Sequence, residues 1–76
     1  MNIKLSTVNV IEMENGDLVN LNSFSNNKKG YKKAEKLFMS LIKSKDLLIS
    51  EDEIKCYLNY GRYDYKGGTI FLIYSN

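Results

Sequence analysis

The sequence predicts an α+β fold, a small antiparallel sheet in the order ββααβ, with room for an extra short strand, and helices packed on one of its faces. Three observations predict it. Two apolar-rich runs flank the dipeptide Asn15-Gly16, apolar residues recur at helical spacing between Tyr31 and Ile42, and a β-branched and aromatic run, TIFLIY, lies near the end of the chain. Strands grouped on both sides of a helical block favour antiparallel pairing over alternating βαβ units.

Residues 2–22 read as a hairpin, because IKLSTVNVIEM and DLVNLN are joined by the pair that most readily supplies two positive-φ positions. In the second strand Leu18 and Val19 begin a core face and Leu21 continues it. In the first, alternation breaks between Leu5 and Val8, which places a bulge or register change near Ser6-Thr7. SFSNNKK then supplies loop and capping residues, with Ser25, Asn26 and Asn27 as candidate N-caps.

Tyr31, Ala34, Leu37, Phe38, Leu41 and Ile42 make the apolar stripe of a helix running to about Lys45, and Gly30 weakens its first turn. Residues 51–60 carry two competing patterns. Ile54, Cys56, Leu58 and Tyr60 alternate as in a strand, whereas Ser50 with Glu53 forms a capping box, Glu51 and Asp52 suit a first helical turn, and Gly61 is a natural stop. Three end signals against one period predict a short helix, with the strand as the competing reading. RYDY and TIFLIY, separated by Lys66, Gly67 and Gly68, then read as a second hairpin or as a loop entering one long strand.

At 76 residues the chain forms a single α+β domain over 1–76, too small for a second domain or a deep cleft. A hydrophobic content of 43% separates it from disordered chains, so it should fold. The sequence contains no basic leader followed by an apolar run and no stretch long enough to cross a bilayer, and its lone Cys56 excludes an internal disulfide; the expected location is the cytoplasm, with no membrane partner.

Catalysis is disfavoured. The chain has no histidine, no glycine-rich phosphate loop and no paired cysteines, so no catalytic residue, metal site or cofactor is assigned and the protein is expected not to be an enzyme. Glu51, Asp52 and Glu53 are explained as first-turn acids.

Two groups of side chains remain for recognition. Lys28, Lys29, Lys32, Lys33 and Lys36 form a basic face opposite the apolar stripe of the first helix. This is either an ordinary solvated face or a contact for phosphates or an acidic surface, and without arginine it suits sequence-independent contact. Tyr60, Arg62, Tyr63 and Tyr65 are residue types that dominate interface energetics, and are expected to form a partner-binding surface; Tyr57 belongs to the core side. In the last strand Ile70, Leu72 and Tyr74 face one way and Phe71 and Ile73 the other, so neither face is polar. A sheet with helices on one side only should have one wet face. Either Ile70, Leu72 and Tyr74 belong to an assembly strand that meets a partner or a second copy, or the strand is central in a small twisted sheet whose other face is partly shielded.

The vocabulary of the chain, rich in Asn, Lys, Ile and Tyr, suggests an A/T-rich bacterial or phage genome. Over its whole length, VNVIEMENGDLVNLNSF leading into GYKKAEKLF and SEDEIKCYLNYGRYDY leading into TIFLIYS resemble, in pattern, the compact ββααβ proteins of unknown function encoded by phages and mobile elements. That group includes anti-CRISPR and other anti-defence inhibitors, which occupy a host protein's surface. The resemblance implies a non-enzymatic inhibitor that docks its tyrosine-rich surface on a host protein, acts in the host cytoplasm, and carries over no residue roles. The alternatives are a small nucleic-acid-binding or regulatory module using the lysine face, and a self-assembling structural protein, a homodimer in its simplest form.

Overall fold

The computed structural model of the protein describes residues 7–75. Six elements follow one another: β1 (Thr7–Glu14), β2 (Asp17–Ser25), α1 (Lys28–Lys45), α2 (Glu51–Tyr60), β3 (Arg62–Tyr65) and β4 (Gly68–Ser75). The strands form one antiparallel sheet in the spatial order β2-β1-β4-β3, so the order along the chain is ββααββ and the short strand left open by the sequence is β3. The part of the first hairpin expected over residues 2–6, including the irregularity expected at Ser6, lies outside the described residues. Thr7 itself pairs regularly with Ser25 and Ser75, and the break in register falls instead between Glu12 and Met13, where β2 carries the extra Val19.

Local chemistry accounts for each boundary. Asn15 and Gly16 take φ of 52° and 84°, the two left-handed positions of the hairpin turn. Asn27 caps α1, its side chain accepting from Gly30 N at 2.8 Å. Residues 51–60 are helical. Ser50 Oγ accepts from Glu53 N at 3.2 Å, three acids occupy the first turn, and Gly61 ends the helix at φ 68°. The end signals outweigh the period-two pattern because capping satisfies backbone groups that a strand at this position has no neighbour to satisfy.

Both helices cover one face of the sheet. Val8 and Val10 of β1, Ile70 and Leu72 of β4 and Tyr63 of β3 are buried against Ala34, Phe38 and Ile42 of α1 and Ile54 of α2, with Ile49 of the interhelix link closing the end. Each of the larger side chains contributes about 1.5–3 kcal/mol by leaving water, before chain entropy is set against it. Of the assembly-strand candidates, Ile70 and Leu72 are core, as the central-strand reading has it, whereas Tyr74 on the same face stays 51% exposed with its ring edge-on to Tyr31 at 5.3 Å.

Gly30 does more than weaken a turn. A Cβ there would overlap the carbonyl of Ser25, so the missing side chain is what allows the end of β2 to pass across the first turn of α1.

Candidate functional site

Among the described residues no layer covers the opposite face of the sheet. Antiparallel register sets its side chains in rows that cross the strands. The central row is Leu21, Ile11, Phe71 and Arg62, one residue from each of β2, β1, β4 and β3. On one side of it lie Ser23, Asn9 and Ile73, and on the other Leu18, Met13, Thr69 and Asp64. Leu21 is 57% exposed and Ile73 41% exposed, while Ile11 and Phe71 at the centre are half-buried by their neighbours. Leu18, Val19 and Leu21, expected to form a core face, are thus on the solvent side. α1 packs on β2 at the C-terminal end of the strand, where Phe24 is half-buried and Ser25 meets Gly30, and the inward positions ahead of it carry the exposed Asn20 and Asn22.

Polar contacts border this apolar centre. Ser23 Oγ donates to Asn9 Oδ1 at 2.6 Å. Along β3, Arg62 pairs with Asp64 at 3.1 Å, Thr69 donates to the same carboxylate at 2.7 Å, and the guanidinium lies 5.6 Å from the Phe71 ring centre. The Thr69 and Arg62 hydrogen bonds hold the Asp64 carboxyl below its ordinary pKa.

The residues expected at a tyrosine-rich docking surface divide into two pairs. Tyr60 is 81% exposed, and with Tyr57, Arg62 and Asp64 it lines an open depression of about 430 Å³ at the β3 edge. Tyr63 and Tyr65 point to the other side. Tyr63 is 9% exposed, with its ring edge-on to Tyr57 at 4.8 Å and stacked on Tyr65 at 6.5 Å. Period-two alternation explains the split, since Arg62 and Asp64 share one face of β3 and Tyr63 and Tyr65 the other. Tyr63 and Tyr65 are therefore removed from the docking surface, and Tyr60 and Arg62 remain.

Inside, Tyr65 completes a polar network. Its hydroxyl donates to Glu12 Oε2 at 2.6 Å, Lys45 Nζ reaches the same oxygen at 2.9 Å, and Asn20 donates to Oε1 at 2.7 Å. Lys45 also sits 4.7 Å from the Tyr65 ring centre. Gly68 leaves room for the phenol, because a Cβ there would press on the Tyr65 hydroxyl. Burial alone would raise the pKa of Glu12, but the hydrogen bonds from Tyr65, Lys45 and Asn20 outweigh it and the net shift is downward. Tyr65 is shifted far upward by burial and by that same carboxylate.

Lys28, Lys29, Lys32, Lys33 and Lys36 are all exposed on the outer side of α1. Lys36 continues into an open groove of about 390 Å³ between the helices, shared with Lys43, Lys55, Glu51, Met39, Ser40 and Ile54. Sequence reasoning did not single out Leu47 and Leu48, which stand in the interhelix link with Leu48 95% exposed. Their signal is that they fall between Asp46 and Ser50, outside the stripe of either helix.

Among the described residues no group of His, Cys, Asp and Glu is placed to hold a metal ion, and no helix is long and apolar enough to cross a membrane. Comparisons with protein-family models, with curated proteins and with solved structures find no match.

Proposed function

We propose that the protein is a non-enzymatic docking module that seats its uncovered sheet face, continued round the β3 edge to Tyr60, on the surface of a target protein. The observation that supports it is the central row Leu21-Ile11-Phe71-Arg62, an apolar strip ending in a guanidinium and bordered by polar pairs. Apolar centre, aromatic and arginine anchors and polar rim are the anatomy of a specific interface. Strands of eight, nine, four and eight residues, at about 3.4 Å rise and about 4.8 Å spacing, give a footprint of roughly 470 Å². Doubled for two partners, that comes close to the roughly 1,000 Å² at the lower end of specific interfaces, and Tyr60 beyond the β3 edge adds to it. In a phage or mobile-element setting the target is a host protein that docking blocks; the support for that setting is the A/T-rich vocabulary and the pattern resemblance.

A photo-crosslinking residue at Ile73, compared with one at Lys33, tests the reading in a bacterial lysate. A single protein crosslinked from position 73 and not from 33 supports it. Crosslinks of equal yield from both positions contradict it, and a crosslinked pair of the chain itself replaces the target with a second copy.

A further inference from the structure

The side of α1 turned away from the sheet carries a second, independent feature. α1 holds seven lysines, Lys28, Lys29, Lys32, Lys33, Lys36, Lys43 and Lys45, against one acid, Glu35, whereas the remainder of the chain holds four cations against eight carboxylates. Lys45 is turned inward to Glu12. The other six are exposed, five of them at the i, i+3 and i, i+4 spacings of one helix face and Lys43 two turns beyond Lys36, and among the described residues none of them takes part in an ion pair.

Helix stability does not explain this placement. Lys28 and Lys29 occupy the first turn, which contains no acid, so they face the positive end of the helix dipole. Lys28 with Lys32, Lys29 with Lys33 and Lys32 with Lys36 are like-charged neighbours four residues apart, each of which opposes the helix. The same chain sets Glu51, Asp52 and Glu53 at the start of α2, where acids help. A polyanion along the outer face of α1 would offset these repulsions by attracting each lysine.

From this we propose that the outer face of α1 is a contact surface for the phosphate backbone of a double-stranded nucleic acid. Between Lys28 and Lys36 this face exposes no apolar side chain, so it lacks the anchor that a protein partner would need. It has no arginine for bidentate base readout, since Arg62 lies on the far side paired with Asp64. It also has no stacking ring for unpaired bases, since Tyr31 is half-buried against Tyr74. What remains is charge at regular spacing, which reads phosphates and not sequence.

The experiment is fluorescence anisotropy with a labelled duplex of mixed sequence, titrated between about 50 and 200 mM salt. The wild-type protein should bind with an affinity that falls as about the fourth to fifth power of salt, as four to six phosphate contacts require. Two unrelated sequences should differ by less than about 3-fold, against the 10³-fold or more of a specific reader. Lys29→Glu with Lys33→Glu and Lys36→Glu should weaken binding by at least about 30-fold while the melting temperature stays level or rises, because the reversals place one acid in the first turn and another four residues from Lys32. Replacement of the same three by arginine should preserve binding, and Leu48→Ser in the exposed interhelix link should leave it unchanged. No binding at low salt, equal binding by the charge-reversed protein, or preference for the single strand would each overturn the proposal.

Discussion

The hydroxyl of Tyr65 donates a 2.6 Å hydrogen bond to the carboxylate of Glu12, a residue 2% exposed and 53 positions away in the chain. Both side chains lie on the helix-covered side of the sheet, and Lys45 brings α1 to the same carboxylate. A buried charge is tolerated when its oxygens are filled by donors, and here both are. The network joins both hairpins to α1, so it belongs to the fold and not to a surface for partners.

Tyr65→Phe removes one donor from a buried carboxylate and should cost about 1.5–3 kcal/mol, a large share of what a domain of this size has. Urea denaturation checks it, with the denaturant slope expected to stay the same. A change below about 0.5 kcal/mol would mean that water replaces the hydroxyl.

The network also sets the pH dependence. The Glu12 carboxyl lies below its ordinary value in the folded protein, so its contribution is present above the unfolded value, about 4.3, and is lost as pH falls through the folded one. Lys45, raised chiefly by its hydrogen bond to Glu12, and Tyr65, raised chiefly by burial, act in the opposite sense: their contributions are present below about pH 10 and lost above it. Stability measured from pH 3 to 11 should form a plateau with both limbs falling, and Glu12→Gln should flatten the acid limb. An acid limb unchanged in Glu12→Gln would assign it to other carboxylates.

Gly30→Ala separates helix propensity from packing by sign. Propensity alone gives a gain of about 0.8–1 kcal/mol for alanine inside a helix. The overlap with the Ser25 carbonyl requires β2 or α1 to move, so the substitution should instead cost more than about 2 kcal/mol by thermal melting. A stabilised variant would show that the crossing relaxes freely.

The two faces of β4 should respond oppositely. Leu72→Ala, at a position 4% exposed, should cost about 2–4 kcal/mol, and Ile70→Glu should prevent folding. Ile73→Lys, one residue away on the open face, should stay within about 0.5 kcal/mol of wild type. Circular dichroism with chemical denaturation distinguishes them; equal losses at 72 and 73 would mean that the open face is covered within the chain.

Much of this fold was legible in local signals. Asn15-Gly16 marked the first turn, Ser50, Glu53 and Gly61 marked both ends of α2, and the stripe from Ala34 to Ile42 marked the buried side of α1. The two sides of β4 were also legible, because alternation within a strand is a local property. Which side the helices would cover was not, since that depends on how the two hairpins pair, a contact between β1 and β4 across most of the chain. The same gap put Tyr63 and Tyr65 on the expected docking surface. A tyrosine with its hydroxyl on a buried carboxylate and one facing solvent have the same sequence signature, and the network partner Glu12 looks like an ordinary surface acid until β1 is placed at the centre of the sheet. Leu18 and Leu21 were misplaced for a related reason: they pair with Met13 and Ile11 on the open face, so the side they occupy was set by the place of β1 in the sheet.

The most direct test of docking through the open sheet face is capture from a nuclease-treated bacterial lysate by three tagged forms of the protein. These are the wild type, Leu21→Lys with Ile73→Lys, and Lys29→Glu with Lys33→Glu, each first shown to melt like the wild type. The account predicts one protein retained in stoichiometric amount by the wild type and by the lysine-reversed form, and lost by the sheet-face form. Equal retention by the sheet-face form, or loss only from the lysine-reversed form, would contradict it.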